Sequence, residues 1–521
     1  MRYLNSQEEG NKPDTSEIIS QDISMDLNEN KEYLHTLLQG CSDAVFKEFA
    51  FGPDRGIQGL IVYFDGLTDR IEIEENILKP VILEVNMINI DIYPDRPFNL
   101  LNYLKNSVLA ATELKNIKTL QEICHHISSG DTVVLIDGYD QGLVIGTRSW
   151  QTRSVQTPDS EVVIRGPKEG LTETLRFNTA QLRRRIKTAN FKMESFVIGR
   201  LTKTDVVVGY IEGIAPRILI DEVKDRLSKI DIDGILDSGY LEEFLEEHHY
   251  TIFSQMEYTE KPDRICAHLL EGRVCILVDG SPDALILPTS FPRFLISPED
   301  YYERYIPSSL FRIMRFLAFW LALLLPSLFV AIITFHHEMI PTALFLTIAG
   351  TRETVPFPAF VEALLLELTF ELLREAGLRL PRSIGPAVSI VGALIIGQAA
   401  VQAGLVSTPM VVIVAFTGIA SFVAPSYNGG IVIRIARFGF LIFAGALGLF
   451  GIMLFFILIM TRMVSLSSFG IPYLSPLIPL DYHQITDILV RRPWIKNNVR
   501  PDMKGMKNEI RQKNNSDSQN K

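Results

Sequence analysis

The spacing of charged residues along the chain changes abruptly near Tyr305. Upstream, short apolar runs alternate with charges every few positions. Downstream lie three segments, residues 316–335, 383–433 and 438–461, with no Asp, Glu, Lys, Arg or His. A hydrocarbon core about 30 Å thick takes roughly 20 apolar residues of helix. The first and third segments each suit one crossing. The middle one suits two, broken at GLVSTP (404–409) into 384–403 and 410–424. Charge-free stretches of this length favour a membrane over the buried helices of a large soluble enzyme.

In the upstream half, strand-like and helix-like stretches alternate, and two strand signals recur in the same order about 140 to 150 residues apart. IVYFDG (61–66) is matched by VGYIEG (208–213), and GDTVVLIDGYDQGLVIGT (130–147) by GRVCILVDGSPDALILPT (272–289). Each copy of the longer motif has an apolar run ending in Asp-Gly and a second apolar run after it, the mark of a hairpin whose glycine takes positive φ. Two similar α/β lobes joined around 152–174 are expected, with coincidence among generic strand–turn sequences as the alternative. Asp137 and Asp279 sit where catalytic acids could, but an Asp-Gly turn already accounts for them.

The predicted architecture is an α/β N-terminal region of two similar lobes, an all-α multi-pass transmembrane domain and a short cytoplasmic C-terminal tail. Its expected divisions are a disordered tail over 1–30, lobe 1 over 31–151, linker and lobe 2 over 152–305, the membrane domain over 306–464, and a C-terminal segment over 465–521.

The one charged stretch within the membrane part is 341–381. Its 341–349 portion is apolar but too short to cross, which suggests a re-entrant or interfacial piece. Pro356 and Pro358 then open a helix of leucine and glutamate in which Glu367, Glu371, Arg374 and Glu375 fall at i, i+4, i+7 and i+8, on one stripe. Glu362 lies off that stripe. Carboxylates at membrane depth cost about 2.5 to 3.5 kcal/mol each unless they face water or a partner. Repetition of the helix around a symmetry axis would line an aqueous path with glutamate and make a cation-selective pore. The competing reading is an amphipathic interfacial helix that conducts nothing.

Gly385, Ser389, Ala393 and Gly397 repeat at four-residue spacing, and Ala444, Gly445, Gly448 and Gly451 place small residues on the last segment, so close helix packing is expected. Gln398 and Gln402 add polar contacts. Arg304, Arg312 and Arg315 precede the first segment, Arg434 and Arg437 interrupt the series, and Arg462, Arg491, Arg492 and Lys496 follow the last. This bias puts both termini on the cytoplasmic side with an even number of crossings, four if the glutamate helix does not span.

Composition narrows the function. The net charge of −11 contrasts with a basic end after Trp494, which favours an acidic membrane surface over nucleic acid, since no aromatic residues interleave with those charges. The cluster Arg183, Arg184, Arg185 and Lys187 suits either an anionic partner or lipid, or a solvated helix face. Cys41, Cys124, Cys266 and Cys275 have no C-x-x-C spacing and are expected as reduced thiols, with neither disulfides nor zinc. The His doublets at 125, 248 and 336 lack metal-ligand spacing. Neither a phosphate-binding loop, a nucleophile elbow nor a zinc-protease motif occurs, so no cofactor is expected and an enzyme is not.

Three stretches together resemble the A subunits of GerA-type nutrient germinant receptors of spore-forming bacteria. They are SEVVIRGPKEGLTETLRFNTAQLRRRIK (160–187), YTEKPDRICAHLLEGRVCILVDGSP running to SPEDYYERY (258–305), and 341–381 with the following GQAAVQAGLVS. The resemblance spans about 31–482 and is weakest at both ends. It implies a subunit in the spore inner membrane that works with a transporter-like, nutrient-binding B subunit and a lipoprotein C subunit. It further implies a homo-oligomer, a pentamer, forming a nutrient-gated channel for monovalent cations, with Glu367, Glu371, Arg374 and Glu375 along the pore. A sporulation paralogue, a non-conducting scaffold and a secondary transporter are the alternatives. The inverted repeats of a transporter fit poorly into so few crossings.

Overall fold

The computed structural model describes residues 21–512 apart from 53–55, 88–99, 106–113, 150–160, 162, 164, 380–396, 424, 481, 502, 504 and 507. In the first lobe, strands β1 (Ala44–Phe51), β2 (Ile57–Phe64), β3 (Leu114–Ile117), β4 (Thr132–Ile136) and β5 (Gly142–Ile145) form one sheet in the order β1-β2-β4-β5-β3. In the second, β6 (Phe191–Ile198), β7 (Thr204–Ile211), β8 (Glu257–Thr259), β9 (Val274–Val278) and β10 (Ala284–Leu287) take the order β6-β7-β9-β10-β8. The two orders are the same and every neighbouring pair is antiparallel. Side chains alternate across each strand. Leu60, Val62 and Phe64 therefore enter one core and Ile61 and Tyr63 the other, so each sheet is covered on both faces.

Both Asp-Gly pairs form the expected hairpins, with Gly138 and Gly280 at φ of 82° and 88°. The aspartates do more than turn the chain. Asp137 Oδ1 accepts from the Leu27 amide at 3.2 Å, and Asp279 Oδ1 from the Leu175 amide at 3.1 Å. Each thereby caps a helix, α1 (Leu27–Leu37) or α3 (Leu175–Arg185), whose first N–H groups have no partner within the helix, and each shares its core with a second helix, α2 (Leu120–Ser128) in lobe 1 and α4 (Pro262–Leu270) in lobe 2. Two buried asparagines repeat a second contact. Asn30 accepts from the Ser24 amide at 2.8 Å and donates to its carbonyl at 2.6 Å, and Asn178 does the same with Thr172 at the same distances.

The disordered tail expected over 1–30 therefore ends sooner. Residues 23–30 are anchored by the Ile23 amide on the Lys118 carbonyl (2.8 Å) and by buried Leu27, and α1 is part of the lobe. Residues 1–20 lie outside the described residues. The basic cluster is drawn inward too. Fully buried Arg183 donates to both Asp43 oxygens (2.9 and 2.7 Å) and to the Phe191 carbonyl (2.7 Å), and stacks over Phe64, clamping one lobe to the other. Arg184 and Arg185 both pair with Glu169.

The C-terminal half is helical: α5 (Tyr305–Phe335), α6 (Thr342–Arg352), α7 (Ala359–Arg379), α8 (Thr408–Ser421) and α9 (Tyr427–Ser465). Among the described residues two stretches, Tyr305–Phe335 and Asn428–Ser465, are long and apolar enough to cross a membrane. The second differs from the expectation of one crossing over 438–461. At Gly448 the backbone leaves the helix (φ 63°, ψ −139°), and Phe455 folds back onto Phe440 and Phe443 with ring centroids 4.8 and 4.9 Å apart. In an unbroken helix residues 440 and 455 would be roughly 22 Å apart. The segment is thus a helical hairpin, its two ends held to lobe 2 by Asn428 on Ser254 (3.3 Å) and Arg462 on the Tyr250 carbonyl (3.4 Å).

Three glycines of this bundle receive phenylalanine rings. A Cβ at Gly445 would lie 2.5 Å from Phe360, one at Gly439 2.2 Å from Phe455, and one at Gly418 2.4 Å from Phe370. Among the predicted packing residues Gly385, Ser389 and Ala393 lie outside the described residues, while Gly397 meets Val411 at ordinary contact distance. The C-terminal segment folds back on lobe 2, where the Arg500 Nε donates to the Leu270 carbonyl at 2.8 Å and Ser468 to that of Gln255 at 2.7 Å.

Gly448→Ala is expected to lower the thermal midpoint of the detergent-solubilised protein. The backbone there suits glycine, a strain of about 1–3 kcal/mol for another residue, and a new Cβ would lie 2.9 Å from His336 and 3.0 Å from Phe335. Gly350→Ala, on α6 with open space around it, is expected to leave the midpoint unchanged or raise it.

Candidate functional site

Helix α7 begins after Pro358, whose carbonyl accepts from the Glu362 amide at 3.1 Å, and its 21 residues span roughly 30 Å. Its partners fix its direction: Phe360 meets Gly445, Glu367 meets Arg437 and Glu371 meets Arg434, so it runs antiparallel to the first arm of α9.

The predicted stripe divides along its length. Glu367 is fully buried with its carboxylate 3.0 Å from the Arg437 guanidinium, itself 1% exposed. Glu371 pairs with Arg434 and lies 3.8 Å from Arg437. These four charges cancel. Arg374 stacks over the Phe422 ring at 4.7 Å. Glu375 is half exposed and pairs along the helix with Arg379 at 2.7 Å. In apolar surroundings an unpaired ion is far costlier than a paired one, which is why the inward glutamates and the two arginines of α9 occur together.

Glu362, off the stripe, is the carboxylate that sequence spacing passed over. It is fully buried and accepts from the Ser407 amide at 2.6 Å and the Ser407 hydroxyl at 2.5 Å, with Arg352 at 3.6 Å. The sequence signal for it was the GLVSTP break, whose serine precedes α8. Arg434 and Arg437 were legible only as side markers.

A second network joins the first long helix to lobe 2. Asp300, 2% exposed, accepts from Arg312 Nε at 2.9 Å and Arg315 Nη1 at 3.0 Å, and Tyr301 donates to Asp487 at 2.8 Å. Beside it, Glu271 is surrounded by Arg293 (2.8 Å), Arg273 (3.8 Å) and Arg511 (3.6 Å). Burial pushes the Glu271 carboxyl up, but the arginines outweigh it and hold it down at about 2. Burial raises the thiols of Cys124 to about 11 and of Cys266 and Cys275 to about 12, so they are unreactive. Among the described residues no cluster has the make-up of a metal site.

Glu362→Ala leaves the Ser407 amide and hydroxyl without an acceptor and is expected to cost about 1–3 kcal/mol per lost partner, with Glu362→Gln milder, as read by thermal unfolding in detergent. Because its folded pKa lies below the unfolded one, Glu271 contributes stability above about pH 4.5 that is lost as pH falls toward 2. Glu271→Gln is expected to remove that share of the acid loss, on the order of 3 kcal/mol. An unchanged acid limb would contradict the arrangement.

The chain matches the family described as Bacillus/Clostridium GerA spore germination protein over residues 32–503. It is 45% identical to the uncharacterized membrane protein YfkQ of Bacillus subtilis, over 92% of this chain and 91% of that one. It is 41% identical to spore germination protein KA of the same organism, over 95% and 89%, and 37% identical to its spore germination protein A1, over 91% and 96%. The crystal structure of the N-terminal domain of the A subunit of the Bacillus megaterium spore germinant receptor GerK3 aligns with a TM-score of 0.41 at 30% identity, covering 51% of this chain and 96% of that one. The chain belongs to the GerA family of spore germination proteins.

Proposed function

We propose that this chain is the membrane subunit of a spore germinant receptor in the spore inner membrane, assembling as a pentamer into a nutrient-gated channel for monovalent cations. A nutrient-binding B subunit and a lipoprotein C subunit complete the receptor, and membrane lipid surrounds it. Family membership over almost the whole chain supports the role in germination. Conduction rests on one observation, the four carboxylates of α7, three of them inside an apolar bundle and the fourth half exposed. Glu362, Glu367 and Glu371 are held inward and paired, whereas Glu375 stays on the outer face beside exposed Leu368 and Leu372, where an aqueous path between copies would meet it.

In this reading Glu367, Glu371 and Arg374 hold the pore helix in place behind Glu375. Helix α5 and the two arms of α9 are among an even number of crossings, which keeps both termini on the cytoplasmic, spore-core side. The lobes couple nutrient sensing to opening through Asp300 and its arginines. A non-conducting scaffold is the second reading, favoured by the cancellation of Glu367 and Glu371 by Arg437 and Arg434.

Purified protein in planar bilayers is expected to pass a non-saturating monovalent-cation current, and Glu375→Gln to lower its preference for cations over anions with assembly intact. Saturable solute exchange would mean a transporter. Silence from a correctly assembled oligomer would leave the scaffold.

A further inference from the structure

Between lobe 2 and the folded-back C-terminal segment lies a cavity of about 1040 Å³. Its wall is cationic in excess. Among the described residues six basic side chains line it against two carboxylates, Glu271 and Asp487. Neither carboxylate has charge to spare. Glu271 is already shared by Arg273, Arg293 and Arg511. Asp487 accepts from Tyr301 at 2.8 Å and from the Arg492 amide at 2.9 Å, and lies 3.7 Å from Arg312.

Among the described residues three lining cations are left without an anion. Arg500 gives its hydrogen bonds to neutral oxygens, those of Leu270, Asn508 and Ile510. Among the described residues the Arg492 and Lys496 side chains have no ion-pair or hydrogen-bond partner. Deeper in, Arg273 is 7% exposed and its Nε has no hydrogen-bond partner. Like charges gathered around one space repel one another. A fold that keeps them there is stabilised by a ligand that brings negative charge.

We propose that this cavity binds a phosphate-bearing anion, with Arg492, Lys496 and Arg500 supplying the charge that the other described residues leave unbalanced. An excess of more than two positive charges suits a phosphoryl group better than a single carboxylate. Arginine forks match its oxygens in geometry as well as sign. The phosphoryl group belongs either to a soluble phosphate or to an anionic lipid headgroup. The cavity is placed for both: Pro476 of its wall is followed by exposed Leu477, Ile478 and Leu480, and Tyr301 of its wall lies four residues before the first long apolar helix. A ligand here would touch lobe 2, the C-terminal segment and the Asp300 network at once, and would bias their docking on the membrane helices.

The test uses the full-length chain with two probes, radiolabelled inorganic phosphate by equilibrium dialysis in neutral detergent, and nanodiscs of phosphatidylglycerol against phosphatidylcholine by thermal midpoint. Arg492→Gln with Lys496→Gln is expected to weaken the response about tenfold or more, as loss of charge-assisted contacts predicts. The same pair without ligand should unfold no earlier than the wild type, since neither side chain has a partner to lose. Lys229→Gln, an exposed site outside the cavity, serves as control. Binding of inorganic phosphate that the double variant weakens supports a soluble ligand, and stabilisation by phosphatidylglycerol alone, lost in the double variant, supports a headgroup. No response to either probe, or one the double variant leaves unchanged, overturns the proposal, whatever the bilayer currents show.

Discussion

A charge removed from water must find an opposite charge, and the membrane half of this protein is arranged around that requirement. Glu367 and Arg437 are both almost fully buried and 3.0 Å apart, and Glu371 and Arg434 repeat the pairing one turn on. Either side chain alone would be strongly destabilising in that setting. The pairs therefore fix the register of α7 against α9. Once that register is set, Phe360 falls on Gly445 of α9, while Phe370 on the same helix packs on Gly418 of α8. It also decides which glutamate stays outside. With Glu367 and Glu371 turned inward, Glu375 is left on the outer face with Arg379.

The soluble half solves a related problem with fixed dipoles. Two helices start where a hairpin aspartate can cap them, and the same Asp-Gly pair that turns the strands holds the helix at its N-terminus. Because sheet order, aspartate cap and asparagine clasp all recur, the two lobes are variations on one unit. Arg183 of the second unit is then used to bind the first. Asp300, held by Arg312 and Arg315, carries the mechanical continuity onward into α5.

Where local pattern decided the outcome, the sequence was readable. The Asp-Gly hairpins, the helix after Pro358 and the apolar length of 316–335 all follow from short-range chemistry, and the family resemblance followed from long continuous stretches. Legibility failed where a distant partner decided. Nothing local marks Gly448 as a reversal, because the apolar run continues across it without a polar residue; its geometry comes from Phe455 closing on Phe440 and Phe443. Arg434 and Arg437 carry a topology signal whatever they pair with, and Glu362 needs Ser407 from another helix to declare itself. Helix α1 opens in a polar stretch with Asp26 as its local cap, and its tie to the lobe comes from Asp137, 110 positions from Leu27. The three consecutive arginines at 183–185 look like a surface patch until Asp43 and Glu169 are placed beside them.

Opposite charges buried between α7 and α9 hold the membrane bundle together. The most direct measurement is the folded yield and thermal midpoint of a charge exchange, Glu367→Arg with Arg437→Glu, beside each single change. Restored Coulomb pairing predicts that both singles collapse and that the exchange recovers much of the wild-type stability. An exchange no more stable than the worse single variant, or a single variant as stable as wild type, would contradict it.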